Sequence, residues 1–428
     1  MKQKCIQAVN AAAGKALSPA KLQAIEDNIG AKMRELARQD RQRWLGLSND
    51  QRMIEAATAA AQDLQAQAVL KEARGTMQIL RTAETEARIT QHQGLNKLTR
   101  SQGWIRDMEL TQPYIDAVRS EAVGQLGDLI DGVQVKDGAG GWRKVGMTIF
   151  NLDNPLMTRD VIREVFRQAD GHTGNTVAKQ AAQAWLDTIE GLRVRFNASG
   201  GDVGKLGYGY LGQAHDAAKV AKAGPERWAD AVLPLLDRSQ YVEPDGTLTT
   251  PDQLRAMLIA AHETIATGGA NKIEPGAFRG SGARANRGSD ARVLHFQDGD
   301  AWLAYMDQFG EGSLYDAMLG HVGRMARDIG LVERYGPNPE QLNRVQADLA
   351  ERADGAGTLA GRSFGTTPAA RWALLNGSAS TPVNNVIAQT GEVARNVQTA
   401  AKLGGAVISS LTDMGTIAQT LQFNRLPY

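Results

Sequence analysis

The chain has 428 residues, with 48 Lys plus Arg against 47 Asp plus Glu, a net charge of +1. Near neutrality excludes a strongly basic nucleic-acid coat and a supercharged membrane binder, and a lone cysteine, Cys5, excludes internal disulfides and a Cys-based zinc cluster. Hydrophobic residues at 42% exclude wholesale disorder, while aromatics at 5% leave the apolar content to alanine, which favours long slender helices over one thick core. At roughly 100–200 residues per domain the length predicts about two to four units.

The N-terminal segment Met1 to Gln7 carries charges with no apolar stretch behind them, so it is not a secretory signal. Ser18-Pro19 predicts a helix start, and Leu22, Ile25, Ile29, Met33 and Leu36 form one apolar stripe behind it. Ser48 with Gln51 fits a capping box, and the run from Asn49 to about His92 holds no proline and only Gly75. At 1.5 Å per residue it spans roughly 65 Å. A helix of that length needs neighbours: a coiled coil, an array of copies, or the other arm of a hairpin within one chain. Pro113 is expected to close this region.

Residues 131–150 change character. Val133 to Lys136, the glycine-rich Asp137 to Gly141, and Trp142 to Phe150 predict a β-hairpin. Helices resume around Val161 to Phe166 and from Thr176 to about Phe196, followed by a glycine-heavy loop from Gly200 to Gly212. Pro225 and Thr250-Pro251 start further helices. Asp300 to Phe309 and Leu314 to Tyr335 read as helix, with Pro337 and Pro339 as punctuation. The last ninety or so residues are rich in Ala, Gly, Ser and Thr. The expected class is mainly α: an elongated multi-helix assembly with long N-terminal helices and one small hairpin. Its expected divisions are residues 1–112, a central helical part over 113–340 and C-terminal helices over 341–428.

Catalytic motifs are weak. Gly207-Tyr208-Gly209-Tyr210-Leu211-Gly212 matches G-x-G-x-x-G, but no strand precedes it and no acid follows at the required distance. His262-Glu263 lacks the second histidine of a zinc helix, since Ala266 stands in its place. The histidines at 92, 172, 215, 262, 295 and 321 are scattered, although His215 and His295 are free to meet in space. Gly280-Ser281-Gly282 has no strand–turn–helix context for a hydrolase elbow, and no Glu-Ser pair occurs for a lysozyme-like acid. No catalytic, cofactor or metal residue is therefore expected.

Two segments are candidate contact surfaces. In the Gly/Arg loop over 270–292, Lys272, Arg279, Arg284, Arg287 and Arg292 face only Glu274 and Asp290, a net +3. Such a loop suits nucleic-acid phosphates or a neighbouring subunit, or else its arginines pair within the fold. From Leu403 to Leu421, Val407, Ile408, Leu411, Met414, Ile417 and Leu421 make an apolar face with Asp413 as the one charge. That charge disfavours spanning a bilayer, so the face suits sister helices, a membrane surface or the core. The ending Asn424-Arg425-Leu426-Pro427-Tyr428 reads as a cut within a longer polypeptide.

Several segments resemble the internal virion proteins of short-tailed bacteriophages, their DNA-ejection or internal core proteins. They are Met1 to Val9, Leu236 to Tyr241, Glu263 to Gly269 with Lys272 to Gly276, and Asn286 to Ser289 running through Leu294-His295-Phe296, Asp300-Ala301-Trp302 and Tyr305. The likeness continues through Gly320-His321, Met325 to Ile329 and Gly336 to Pro339. The resemblance implies a protein packaged in the virion interior and ejected with the genome. It would oligomerise as a ring or tube with other ejection, portal or tail proteins. Viral DNA would pass through its lumen across the Gram-negative host envelope, with a membrane as a further partner. Longer relatives carry muramidase or polymerase domains, and no such signature occurs here. The competing expectations are a peptidoglycan-degrading virion enzyme and a static core protein near the portal.

Overall fold

A computed structural model of the chain describes residues 1–131, 134–136, 142–144, 155–166, 173–267, 284–286, 292–355 and 367–380. Two units separate, Met1–Leu375 and Asn376–Tyr428. In the first, α1 (Gln3–Ala12), α2 (Pro19–Gln39) and α3 (Arg41–Gly46) lead into α4 (Asn49–Asn96), a helix of 48 residues. The capping box forms as expected: Ser48 accepts from the Gln51 backbone N–H, and the Gln51 side chain accepts from that of Ser48.

At its far end α4 stops at Lys97, the only non-glycine residue with positive φ among the described residues, at 52°. A short turn then opens α5 (Arg100–Asp131), which packs back along α4. Contrary to expectation, α5 runs straight through Pro113. The proline removes one N–H from the ladder, but packing of its neighbours Ile115 and Val118 keeps the helix continuous.

The central helices are α6 (Pro155–Phe166), α7 (Thr176–Ala198), α8 (Ala217–Ala223), α9 (Pro225–Val232) and α10 (Pro251–Ala266). Then follow α11 (Gly299–Phe309), α12 (Leu314–Tyr335), α13 (Pro339–Asp354) and α14 (Pro368–Asn376). The protein is thus mainly helical, as the periodicity predicts. The hairpin expected over 131–150 is not supported as an element of the fold. Only Gln134–Lys136 and Trp142–Lys144 pair there, antiparallel, and the turn and flanks lie outside the described residues.

The scarce aromatic residues are concentrated. Trp44 anchors a core of α1, α2 and the base of α4, where Cys5, Ile25, Ile29, Ala57 and Ala60 close around it. Trp104, Tyr335 and Trp372 form a second core, with Trp104 edge-on to Tyr335 at 5.3 Å. Trp185, Trp228 and Trp302 anchor the third and largest, among α6 to α12. Each core is organised around large rings, with alanines packed beside them in the first and third.

Candidate functional site

The first candidate surface is α4 itself. Its base is gripped by α1 and α2 through Ala56, Ala57, Ala60 and Ala61. Its far end is locked by Asp107, which is 0% exposed. Arg88 donates to that carboxylate at 2.7 and 3.3 Å and Arg334 at 3.1 Å, joining α4, α5 and α12. Between these ends four polar ties hold one face. Arg74 donates to the Gly200 and Ala285 carbonyls at 2.6 and 3.3 Å, Gln78 donates to the Tyr335 carbonyl at 2.9 Å, and the Asn338 N–H donates to Gln78 at 2.8 Å.

The opposite face is bare. Ala66, Val69, Ala73, Thr76, Leu80, Ala83, Ala87, Thr90 and Gly94 follow one another at alternating steps of three and four, the period of a coiled-coil seam. All are exposed except the half-buried Ala73, with Val69 at 68% and Leu80 at 58%. Ile79 flanks them at 72%. The seam runs roughly 42 Å at 1.5 Å per residue.

The second candidate surface gathers around the glycine-heavy loop. No strand leads into Gly207–Gly212, so the dinucleotide match is a loop without strand–turn–helix context. The loop is instead held from behind: Arg292 donates to the carbonyls of Gly209 and Leu211 at 2.7 and 3.0 Å, and Trp185 donates to that of Tyr210 at 2.7 Å. Desolvation lowers the Arg292 guanidinium from its ordinary value. Burial lowers His321 to about 4, with Arg324 and Arg292 adding to the effect.

A small cavity of about 170 Å³ opens beside this loop, between Phe166, Gln213, Gln240, His295 and Phe296. On its wall Tyr208 donates to Asp237 at 2.5 Å. Burial pushes the Asp237 carboxyl up, but hydrogen bonds from Ser239 and Tyr208 outweigh it and the net shift is downward. His295 is lowered by burial and meets Tyr241 edge-on. His215 pairs with the Tyr305 hydroxyl at 2.8 Å, and His262 with the Val220 carbonyl at 3.0 Å. The histidines thus take separate structural partners.

Of the five loop cations, Arg284 turns inward. Its side chain is 1% exposed and bridges Asp328 at 2.5 Å and Glu340 at 2.6 Å. With Arg292 held by backbone carbonyls, both described members make their contacts within the fold. Lys272, Arg279 and Arg287 lie outside the described residues, as do Val407, Ile408, Leu411, Met414, Ile417 and Leu421. Among the described residues no group of three or more His, Cys, Asp or Glu is placed to hold a metal, and no helix is long and apolar enough to cross a membrane. The α4 seam was missed in the sequence, although its spacing is written there. The Asp107 lock was not legible, because its partners lie 19 and 227 residues away.

Compared with known proteins, the chain matches no family model, no curated sequence and no solved structure.

Proposed function

We propose that the chain is a structural subunit of a homo-oligomeric helical assembly. In this reading it is an internal virion protein of a short-tailed phage, ejected at infection to line a passage for DNA across the Gram-negative envelope. The observation that carries the self-assembly is the α4 seam. A soluble helix that leaves Val69, Ile79 and Leu80 in water along a strict three–four repeat lacks a partner of the same period. Small residues at Ala66, Ala73, Ala83 and Ala87 admit another slender helix at close range. A second copy of the chain supplies that helix at equal concentration, and repetition about an axis closes a ring. The phage assignment draws on the resembling segments, and the envelope and lumen roles follow from it.

Electron-microscopy class averages of the purified protein test the reading. The expected result is closed rings around a hollow lumen. Monomers, or compact dimers without a lumen, would overturn it. A static location near the portal is separated by mass spectrometry of emptied particles, which on this reading have lost the chain. Cleared peptidoglycan in zymography would overturn a conduit role in favour of an enzyme.

A further inference from the structure

We infer that α12 carries a phosphate-binding face, built from Arg324 and Arg327 beside the bare backbone of Gly320 and Gly323, and that its ligand is the phosphodiester backbone of a nucleic acid. Arg324 and Arg327 stand three residues apart, so their side chains leave neighbouring points on one side of the helix. Gly320 and Gly323 lie on that same side.

The other arginines near this region are engaged. Arg334, farther along the same helix, pairs with Asp107, Arg284 pairs with Asp328 and Glu340, Arg193 with Glu190, and Arg195 with Glu333. Among the described residues Arg324 and Arg327 make no ion pair and no hydrogen bond. The carboxylate within electrostatic reach of Arg324 is Asp328, and Arg284 already occupies it.

The local shape supports a ligand rather than an idle side chain. The Arg324 guanidinium lies over two glycines: a Cβ at Gly320 would sit 3.4 Å from its Nη1, and one at Gly212 would sit 3.6 Å from its Nη2. The fork thus lies close to backbone that carries no side chain, while the residue as a whole stays exposed. Gly323 has nothing within 4 Å of where its Cβ would be, leaving open space beside the two cations. Arg292 adds a third positive charge behind the loop, close enough to act on His321 together with Arg324. His321 itself stays neutral near physiological pH, so it adds no charge to the face. Planar forks side by side match the oxygens of a phosphate bidentately. An extended strand presents such groups in series, and the missing side chain at Gly323 lets sugar and phosphate approach the helix. The inference is independent of the α4 seam, which lies on a different helix.

The test is fluorescence anisotropy of a labelled single-stranded oligonucleotide, titrated with the full chain at low salt and again at rising salt. Wild type is expected to bind with a dissociation constant on the order of 10⁻⁴ to 10⁻⁶ M. R324Q/R327Q is expected to weaken binding about tenfold or more, and to flatten the logarithmic salt slope by about one per arginine. G323E removes no contact and fills open space. It places a carboxylate on the face and is expected to weaken binding comparably, which keeps the test decisive if the double variant melts early. R255Q, on α10 and paired with Asp230, removes one positive charge away from this face and is expected to bind as wild type does. Equal affinity of wild type, R324Q/R327Q and G323E would overturn the inference. Saturable binding of inorganic phosphate by calorimetry, without oligonucleotide binding, would overturn the nucleic-acid assignment. Vesicles of anionic lipid binding in place of the oligonucleotide would do the same.

Discussion

The base of α4 and its middle are made of nearly the same material, yet they end differently. Over Ala56 to Leu64 the alanines disappear against α1 and α2, and Ala56 and Ala57 reach 0% exposure. Over Ala66 to Ala83 the same residue types stay in water with Val69, Ile79 and Leu80 among them. Alanine gains little from burial by itself. It is useful where it lets a second helix come close, so the fate of an alanine face is decided by whether a partner is supplied. The base receives its partner from the same chain. The middle is tied only on its polar side, by Arg74 and Gln78, and its apolar side is left for another molecule.

The contrast can be broken first at the locked end. D107A leaves Arg88 and Arg334 without their buried carboxylate and is expected to cost about 3–5 kcal/mol in urea unfolding. A loss under about 1 kcal/mol would mean that the far end of α4 is not gripped as described.

Acid unfolding gauges how firmly the packed part excludes water. The His321 ring titrates at about 4 in the fold, against an ordinary value of 6.5 in the unfolded chain. Above pH 6.5 both states are neutral and the residue contributes no pH dependence. As the pH falls from 6.5 to 4 the unfolded chain takes the proton and the fold does not, so stability drops by on the order of 2–3 kcal/mol. Below pH 4 both states are protonated and the loss is complete. H321N is expected to flatten part of that slope. His215 and His295, also lowered by burial, account for a remainder of the same sign. An unchanged slope in H321N would contradict the burial argument.

A direct comparison of base and middle comes next. A60L overpacks the α1–α2–α4 core and is expected to destabilise by about 1–3 kcal/mol. A66L, six residues on, is expected to change the stability of the monomer by less than about 0.5 kcal/mol and to strengthen self-association. Equal costs at the two positions would erase the distinction. The smallest effect is expected at the helix end, where K97G relieves a side chain held at φ 52° and is expected to stabilise by about 0.5–1 kcal/mol in thermal melts.

Much of the architecture was legible in the sequence because its signals are local. Ser48 with Gln51, Pro225 and Thr250-Pro251 mark helix starts by chemistry confined to one turn, and the structure places them there. Pro113 misled, because local propensity competes with packing contributed by residues far along the chain. The basic loop was legible as charge but not as orientation. That Arg284 turns inward depends on Asp328 and Glu340, 44 and 56 residues away. The α4 seam lay in plain spacing, but a heptad pattern does not say which of its stretches finds a partner inside the chain.

The central claim, that the bare face of α4 joins copies of the chain, is tested most directly by sedimentation velocity of wild type and V69K/L80K across a range of concentrations. The two lysines replace exposed residues, so the variant is expected to melt as wild type does. Wild type is expected to sediment as an oligomer that dissociates on dilution, and V69K/L80K as a monomer throughout. Identical profiles for the two proteins, whether both monomeric or both assembled, would contradict the account.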